Sequence, residues 1–272
     1  MQRRAREGVR LVFEDVGAGV PPLLFVHGWG CDHTFFAPQV AHFRHQHRCL
    51  AVDLRGFGAS DKPQQEYTPT VFADDLAWLC AQLAVERPVA IAHSLGGMAA
   101  LMLAMRHPDL AAAIVMLDMP TKLLSGPVPV DDPHTGILAA LRGPDWQQAA
   151  RHYAEGMFLP TDDPDRRETI LAKMCAGPPH VLASALDHGW SCDLVSIAAA
   201  CSLPALYIQA GLPRPELDRF LQICPQLMIG RTVGTGHFHQ LEAPEQINAM
   251  LTRFLALLSA TPRESAGAAD RG

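Results

Sequence analysis

The sequence predicts an α/β fold: a mostly parallel, doubly wound sheet with a helical cap inserted after the sixth strand. Three observations carry this expectation. Short, uninterrupted apolar runs (Leu23 to Val26, Cys49 to Val52, Val89 to Ala92, Ala113 to Leu117) alternate with longer segments whose apolar residues recur at helical spacing. Strands that are apolar at every position belong to parallel sheets covered on both faces. The runs end at His27-Gly28, Asp53, Ser94 and Asp118, residue types that suit the functional loops beyond strand carboxyl ends. Finally, the alternation breaks between Leu123 and Asp193, where prolines and glycines give way to helical patterns.

Taken in order, Val9 to Asp15 reads as one or two antiparallel edge strands, and Tyr67 to Val85 and Gly96 to Arg106 as helices. Within the insertion, Trp146 to Phe158 and Arg166 to Met174 carry helical spacing. The sheet resumes at Ala205 to Gln209 and near Leu227 to Ile229, and Pro244 to Leu258 forms a last helix. The expected partition is a core of residues 1–122 and 194–258, a cap of 123–193, and a disordered tail of 259–272, rich in Ala, Gly, Ser and charge.

Composition narrows the function. The net charge of −6 is spread along 272 residues with no basic stripe, which argues against nucleic acid and anionic membranes as partners. No apolar run reaches the roughly 18–20 residues of a membrane span. The basic start, Met1 to Gly8, leads into no signal-peptide segment, so a cytoplasmic location is expected. Seven cysteines without a Cys-x-x-Cys pair suit reduced, buried thiols. A small-molecule substrate is the expected partner; oligomeric state has no signal in the sequence.

The chemistry concentrates at Ala92-His93-Ser94-Leu95-Gly96. A serine on a tight strand-to-helix turn needs small residues two positions away on either side. Its hydroxyl then stands at a helix N-terminus, where N–H groups favour developing negative charge. Ala92 stands where a glycine is usual and keeps the steric requirement. Alone, the motif is a loop-to-helix signal found in many proteins; its place between a buried strand and an apolar helix makes it specific. His27-Gly28-Trp29-Gly30 follows an earlier strand, so the Trp29 N–H can join the Leu95 N–H in an oxyanion hole, or the segment is an ordinary glycine-rich turn. His42, His45 and His47 lack ligand spacing with a carboxylate and read as solvated surface. No metal motif or phosphate loop is present, and neither metal nor cofactor is expected.

Four segments together resemble the α/β-hydrolase fold superfamily in its capped, serine-hydrolase branch: His27 to Gly30, Asp53 to Pro63, the serine turn, and Gly234-Thr235-Gly236-His237-Phe238 with Leu241 to Pro244. The resemblance covers residues of about 10 to 258 and is specific for fold, much less so for substrate. It implies that His237 is the general base, with His239 as the competing position. It also implies an acid in the loop after the seventh strand, yet Gln209 to Arg214 places arginine where that aspartate belongs. Glu216 and Asp218 follow it on what reads as the start of an exposed helix.

Asp118, at the tip of the strand beside the serine's, is the alternative acid, since neighbouring strands lie about 4.8 Å apart. The segment Asp118 to Leu124 is similar to the acid-bearing stretch of fungal zearalenone lactonase, and the arrangement resembles the cofactor-independent quinolone dioxygenases. Asp118 could instead cap the turn at Pro120. In the cap, Trp146, Tyr153, Met157, Phe158, Met174 and Trp190 are candidates for an apolar pocket or simply for cap core. Trp190, with His93 and Phe238 beside the serine and the base, is the expected substrate contact. The expected activity is hydrolysis of a carboxylic ester or lactone by Ser94, His237 and Asp118 through an acyl-enzyme. The alternatives are cofactor-free oxygenation of a heteroaromatic by the His237–Asp118 pair and C–C bond hydrolysis of a diketone. A non-catalytic receptor is disfavoured because Ser94 and His237 are both present.

Overall fold

The apolar runs pair side by side in a computed structural model of the chain, which describes residues 1–122, 133–211, 213–214 and 216–260. The strands are β1 (Gln2–Arg6), β2 (Val9–Val16), β3 (Leu23–Val26), β4 (Cys49–Asp53), β5 (Val89–His93), β6 (Ala113–Leu117), β7 (Ala205–Gln209) and β8 (Leu227–Arg231). They form one sheet in the order β1-β2-β4-β3-β5-β6-β7-β8. β1 and β2 pair antiparallel, as do β2 and β4; every other neighbouring pair is parallel. The antiparallel edge therefore includes a strand, β1, whose arginines gave no periodic apolar signal.

Register brings the loops together. Val26 lies beside Ala92, Ala92 beside Met116, and Leu117 beside Ile208. The chain therefore leaves β3, β5, β6 and β7 at one end of the sheet, carrying His27, Ser94, Asp118 and Ala210 out together.

Strand parity divides the core into two layers. Leu24, Val26, Val52, Ala90, Ala92, Met116 and Tyr207 point to one face. There they meet α2 (Pro69–Gln82) and α3 (Leu95–Arg106). Leu23, Phe25, Ala51, Ile91, Val115 and Ile208 point to the other. That face is closed by α1 (Ala37–Phe43) and the C-terminal helix. The Val, Leu, Ile, Phe and Met side chains among them each contribute roughly 1.5–3 kcal/mol on full burial. α2 starts where Thr68 Oγ accepts the Val71 N–H and Pro69 supplies the first turn.

Between β6 and β7 run α4 (Pro133–Leu141), α5 (Trp146–Glu155), α6 (Pro164–Met174), α7 (Pro179–Ser191) and α8 (Leu194–Ala199). The expected helix from Trp146 to Phe158 stops at Glu155; Phe158 instead packs inward on Phe238, with ring centroids 5.1 Å apart. The expected start of the cap, with Leu123, Gly126, Pro127 and Pro129, lies outside the described residues. After β7 come α9 (Leu217–Ile223), α10 (His239–Glu242) and α11 (Pro244–Ala260). α11 runs to Ala260, two residues past the expected end; the rest of the expected tail, 261–272, lies outside the described residues. All seven cysteines are free and buried or half-buried. Among the described residues, no helix is long and apolar enough to cross a membrane.

Candidate active site

Ser94 is held in a conformation that a side chain ordinarily avoids, φ 53° and ψ −121°. Two constraints impose it. The Ser94 N–H continues the sheet ladder, bonding to Leu117 O at 2.9 Å, while Leu95 already opens α3. The turn also presses on the neighbouring strand's exit: a β-carbon at Gly96 would lie 2.4 Å from Val26 O and 2.6 Å from His27 O. Gly28 is confined in the same way, since a β-carbon there would lie 3.0 Å from both Ser94 Cβ and His93 Nδ1. The segment before Trp29 thus passes directly over the serine. Among the described residues, the Trp29 and Leu95 backbone N–H groups have no hydrogen-bond partner. Two open donors beside a serine at a helix N-terminus are what an oxyanion requires.

Asp118 repeats the strained turn at the next strand tip, with φ 42° and its N–H bonded to Ile208 O at 2.9 Å. Its carboxylate is fully buried, and Oδ2 accepts a 2.6 Å hydrogen bond from His237 Nδ1. The same oxygen accepts Arg214 Nη2 at 2.6 Å, and Oδ1 accepts the Ala210 N–H at 3.3 Å. Burial pushes the Asp118 carboxyl up. The hydrogen bond and charge of His237 and the charge of Arg214 outweigh it and hold the group well below the usual carboxylate range. The other two candidate acids are elsewhere: Glu216 Oε2 accepts from Thr121 Oγ1 at 3.1 Å, and Asp218 is exposed on α9. The structure thus brings His237 and Asp118 together. Ser94 is 8% exposed, and among the described residues its Oγ shares no hydrogen bond with His237. Such bonds are often long in unliganded sites.

The flanking residues chosen as substrate contacts have other work. His93 and Phe238 are 0% and 1% exposed and packed against protein. His93 Nε2 donates to His237 O at 3.0 Å, with its ring 4.5 Å from that of His237, and Phe238 stacks among Phe35, Phe158 and His93. They brace the histidine loop instead of facing a ligand. His239, the competing position, is fully buried, with Nδ1 3.1 Å from Thr232 Oγ1. Burial drives His93 and His239 toward the neutral form, the latter down to about 3. Trp190 is half-buried and meets Tyr153 edge-on at 5.8 Å, and Tyr153 meets Trp29 at 5.3 Å. Trp29 Nε1 in turn donates to Leu182 O of α7 at 2.8 Å.

The glycine-rich Asp53–Pro63 segment is scaffold. Asp53 accepts from His33 Nδ1, His33 N and Ala59 N, and Arg55 forms a buried, two-pronged pair with Asp75. His27 Nε2 accepts the Leu54 N–H at 3.0 Å and burial keeps its ring neutral, which pins the Trp29 loop to this segment. His42 and His45 are exposed. Among the described residues, no group of three or more His, Cys, Asp or Glu side chains is arranged to hold a metal.

Two residues near the site escaped the sequence reading. Arg214 was visible only as the misfit in the acid's expected place. Asp162, buried in the linker between α5 and α6, accepts Leu159 N at 2.8 Å and Gly236 N at 2.9 Å, and Met157 O accepts the His237 N–H at 2.9 Å. A carboxylate in the Asp162-Asp163 pair between Pro160 and Pro164 gave no hint of a partner 74 residues away.

Comparison with known proteins agrees with this fold. A family model described as alpha/beta hydrolase fold matches residues 21–161. The chain is 34% identical over 110 residues to 2-(acetamidomethylene)succinate hydrolase of Mesorhizobium japonicum, a match covering 40% of this chain and 39% of that protein. It superposes on a thermophilic esterase from Thermogutta terrifontis with a TM-score of 0.83 and 25% identity, covering 95% of this chain and 99% of the esterase. Est816, described as an N-acyl homoserine lactone degrading enzyme, gives 0.78 and 26%, covering 93% of this chain and all of that one (100%). None of these three is a zearalenone lactonase or a quinolone dioxygenase, so the likeness of residues 118–124 rests on the sequence alone.

Proposed function

The chain belongs to the α/β-hydrolase fold family, and from that premise we propose that it is a serine hydrolase of carboxylic esters or lactones. The observation that carries this reading is the strained Ser94 turn beside two open backbone donors, at the same end of the sheet as a histidine whose Nδ1 is fixed by a buried carboxylate. In this mechanism His237 Nε2 takes the Ser94 hydroxyl proton as Oγ attacks the carbonyl carbon. Asp118 holds the imidazole in the required tautomer and stabilises its cation. The Trp29 and Leu95 N–H groups receive the oxyanion. His237 then returns the proton to the departing alkoxide, leaving the acyl group on Ser94. Water, deprotonated by the same base, releases the acid. The likeness to an esterase and to a lactone-degrading enzyme supports ester or lactone bonds. The insertion between β6 and β7 acts as a cap, with Trp29, Tyr153 and Trp190 offering an aromatic surface.

A second reading draws on the His237–Asp118 hydrogen bond alone: the pair acts as a base toward an acidic heteroaromatic, with Ser94 only orienting it and O₂ as co-substrate. Turnover of a panel of p-nitrophenyl esters, lactones and heteroaromatics by wild type and Ser94→Ala separates the two. Ester or lactone turnover lost with Ser94 is expected; oxygen uptake with a heteroaromatic that survives Ser94→Ala contradicts the hydrolase.

A further inference from the structure

We propose that Arg214 is a positioning residue that sets, through Asp118, the pH range in which the His237–Asp118 pair is ready to accept a proton. The proposal rests on the reading above only in taking this pair as the base; it does not depend on which bond is cleaved.

The geometry is specific. Arg214 leaves the loop after β7 and turns inward, and its Nη2 reaches the same Asp118 oxygen that receives His237 Nδ1, each at 2.6 Å. The Arg214 side chain is 21% exposed while Asp118 is fully buried. Its other contacts are the Tyr207 hydroxyl and a 3.4 Å bond from Nη1 to Pro213 O of its own neighbour, and among the described residues its buried Nε has no hydrogen-bond partner. A loop tether would gain little from leaving a donor orphaned, since a buried unpaired polar group is destabilising. The guanidinium's orientation is explained by the carboxylate.

Charge counting gives the consequence. Without Arg214, the buried pair is −1 with a neutral imidazole and 0 when it takes a proton. With Arg214, the cluster is 0 and then +1. Arginine does not lose its charge in this range, so its presence makes proton uptake harder and keeps the imidazole free to act as a base at lower pH. The other polar groups around the pair do not substitute for it. His93 and His239 are kept neutral by burial. Tyr207 OH donates to Met119 O, and Glu216 and Asp162 are bound to Thr121 and to the Leu159 and Gly236 amides. None of them bonds to Asp118 Oδ2.

The test is an NMR titration of the ¹³C-histidine-labelled protein, with the His237 resonance assigned by its loss in His237→Gln. The pair in Arg214→Gln should take up its proton about one pH unit higher than in wild type, while Arg214→Lys, which keeps the charge, stays near wild type. An unchanged midpoint in folded Arg214→Gln overturns the proposal, as does an equal shift in Arg214→Lys. Should Arg214→Gln not fold, Arg214→Met carries the same expectation; failure of both neutral variants to fold would make Arg214 a structural tether and also overturn it. Because no substrate is used, a failed esterase assay leaves this result unaffected.

Discussion

His237 Nδ1 and Asp118 Oδ2, 119 residues apart in the chain, lie 2.6 Å from each other at the carboxyl end of the sheet. A carboxylate that fixes an imidazole's tautomer is worth about 10⁴-fold in turnover where it has been removed by amide substitution. Asp118→Asn should therefore lower kcat/KM by about 10³–10⁴-fold while Glu216→Gln and Asp218→Asn stay near wild type. Steady-state kinetics of the three variants decide it; full activity in Asp118→Asn with collapse in either of the others would place the acid after β7.

The serine turn depends on contact with backbone that cannot step aside. Ala at position 96 would bring its β-carbon within 2.4 Å of Val26 O, whereas at Gly136, in α4, a β-carbon meets nothing within 4 Å. Gly96→Ala should cost about 1–3 kcal/mol, as overpacking does, and abolish activity. Gly136→Ala should stabilise by about 0.5–1 kcal/mol. Thermal melts read both signs. A Gly96→Ala protein with wild-type melting and activity would show that the turn has slack the structure lacks.

Buried neutral histidines make folding pH-dependent. Burial lowers His27, His93 and His239, His239 from 6.5 to about 3. Each binds a proton in the unfolded chain that it refuses in the folded one, so stability rises with pH across the window. Their contribution is intact above about pH 6.5 and is lost as pH falls below it. For His239 alone the loss reaches about 2–3 kcal/mol by pH 4.5. Denaturant melts from pH 7.5 to 4.5 should show this slope, reduced by about one proton in His239→Gln. A flat profile would mean that these rings are protonated in the fold.

The central strands β3 to β7 were legible because each is an almost wholly apolar, buried run, and the Ser94 turn because its steric demands fix residue types at fixed offsets. His237 and Asp118 sit at strand exits, so topology alone narrows them to the same end of the sheet. What did not show was anything carried by a single long-range bond. Arg214 on Asp118 and Asp162 on Gly236 join segments with no shared periodicity. His93 and Phe238 looked like pocket residues because they neighbour the reacting groups in sequence, yet both rings are buried against the ring of His237. The extent of the antiparallel edge was missed because β1, with Arg3, Arg4 and Arg6, lies on the exposed rim and has no face to bury.

The central claim is that Ser94 attacks. Intact-protein and peptide mass spectrometry after treatment with a fluorophosphonate measures this directly. The account predicts one covalent adduct, located on Ser94, absent from Ser94→Ala and strongly slowed in His237→Gln. An unmodified Ser94 in folded protein that still turns over substrate would contradict it.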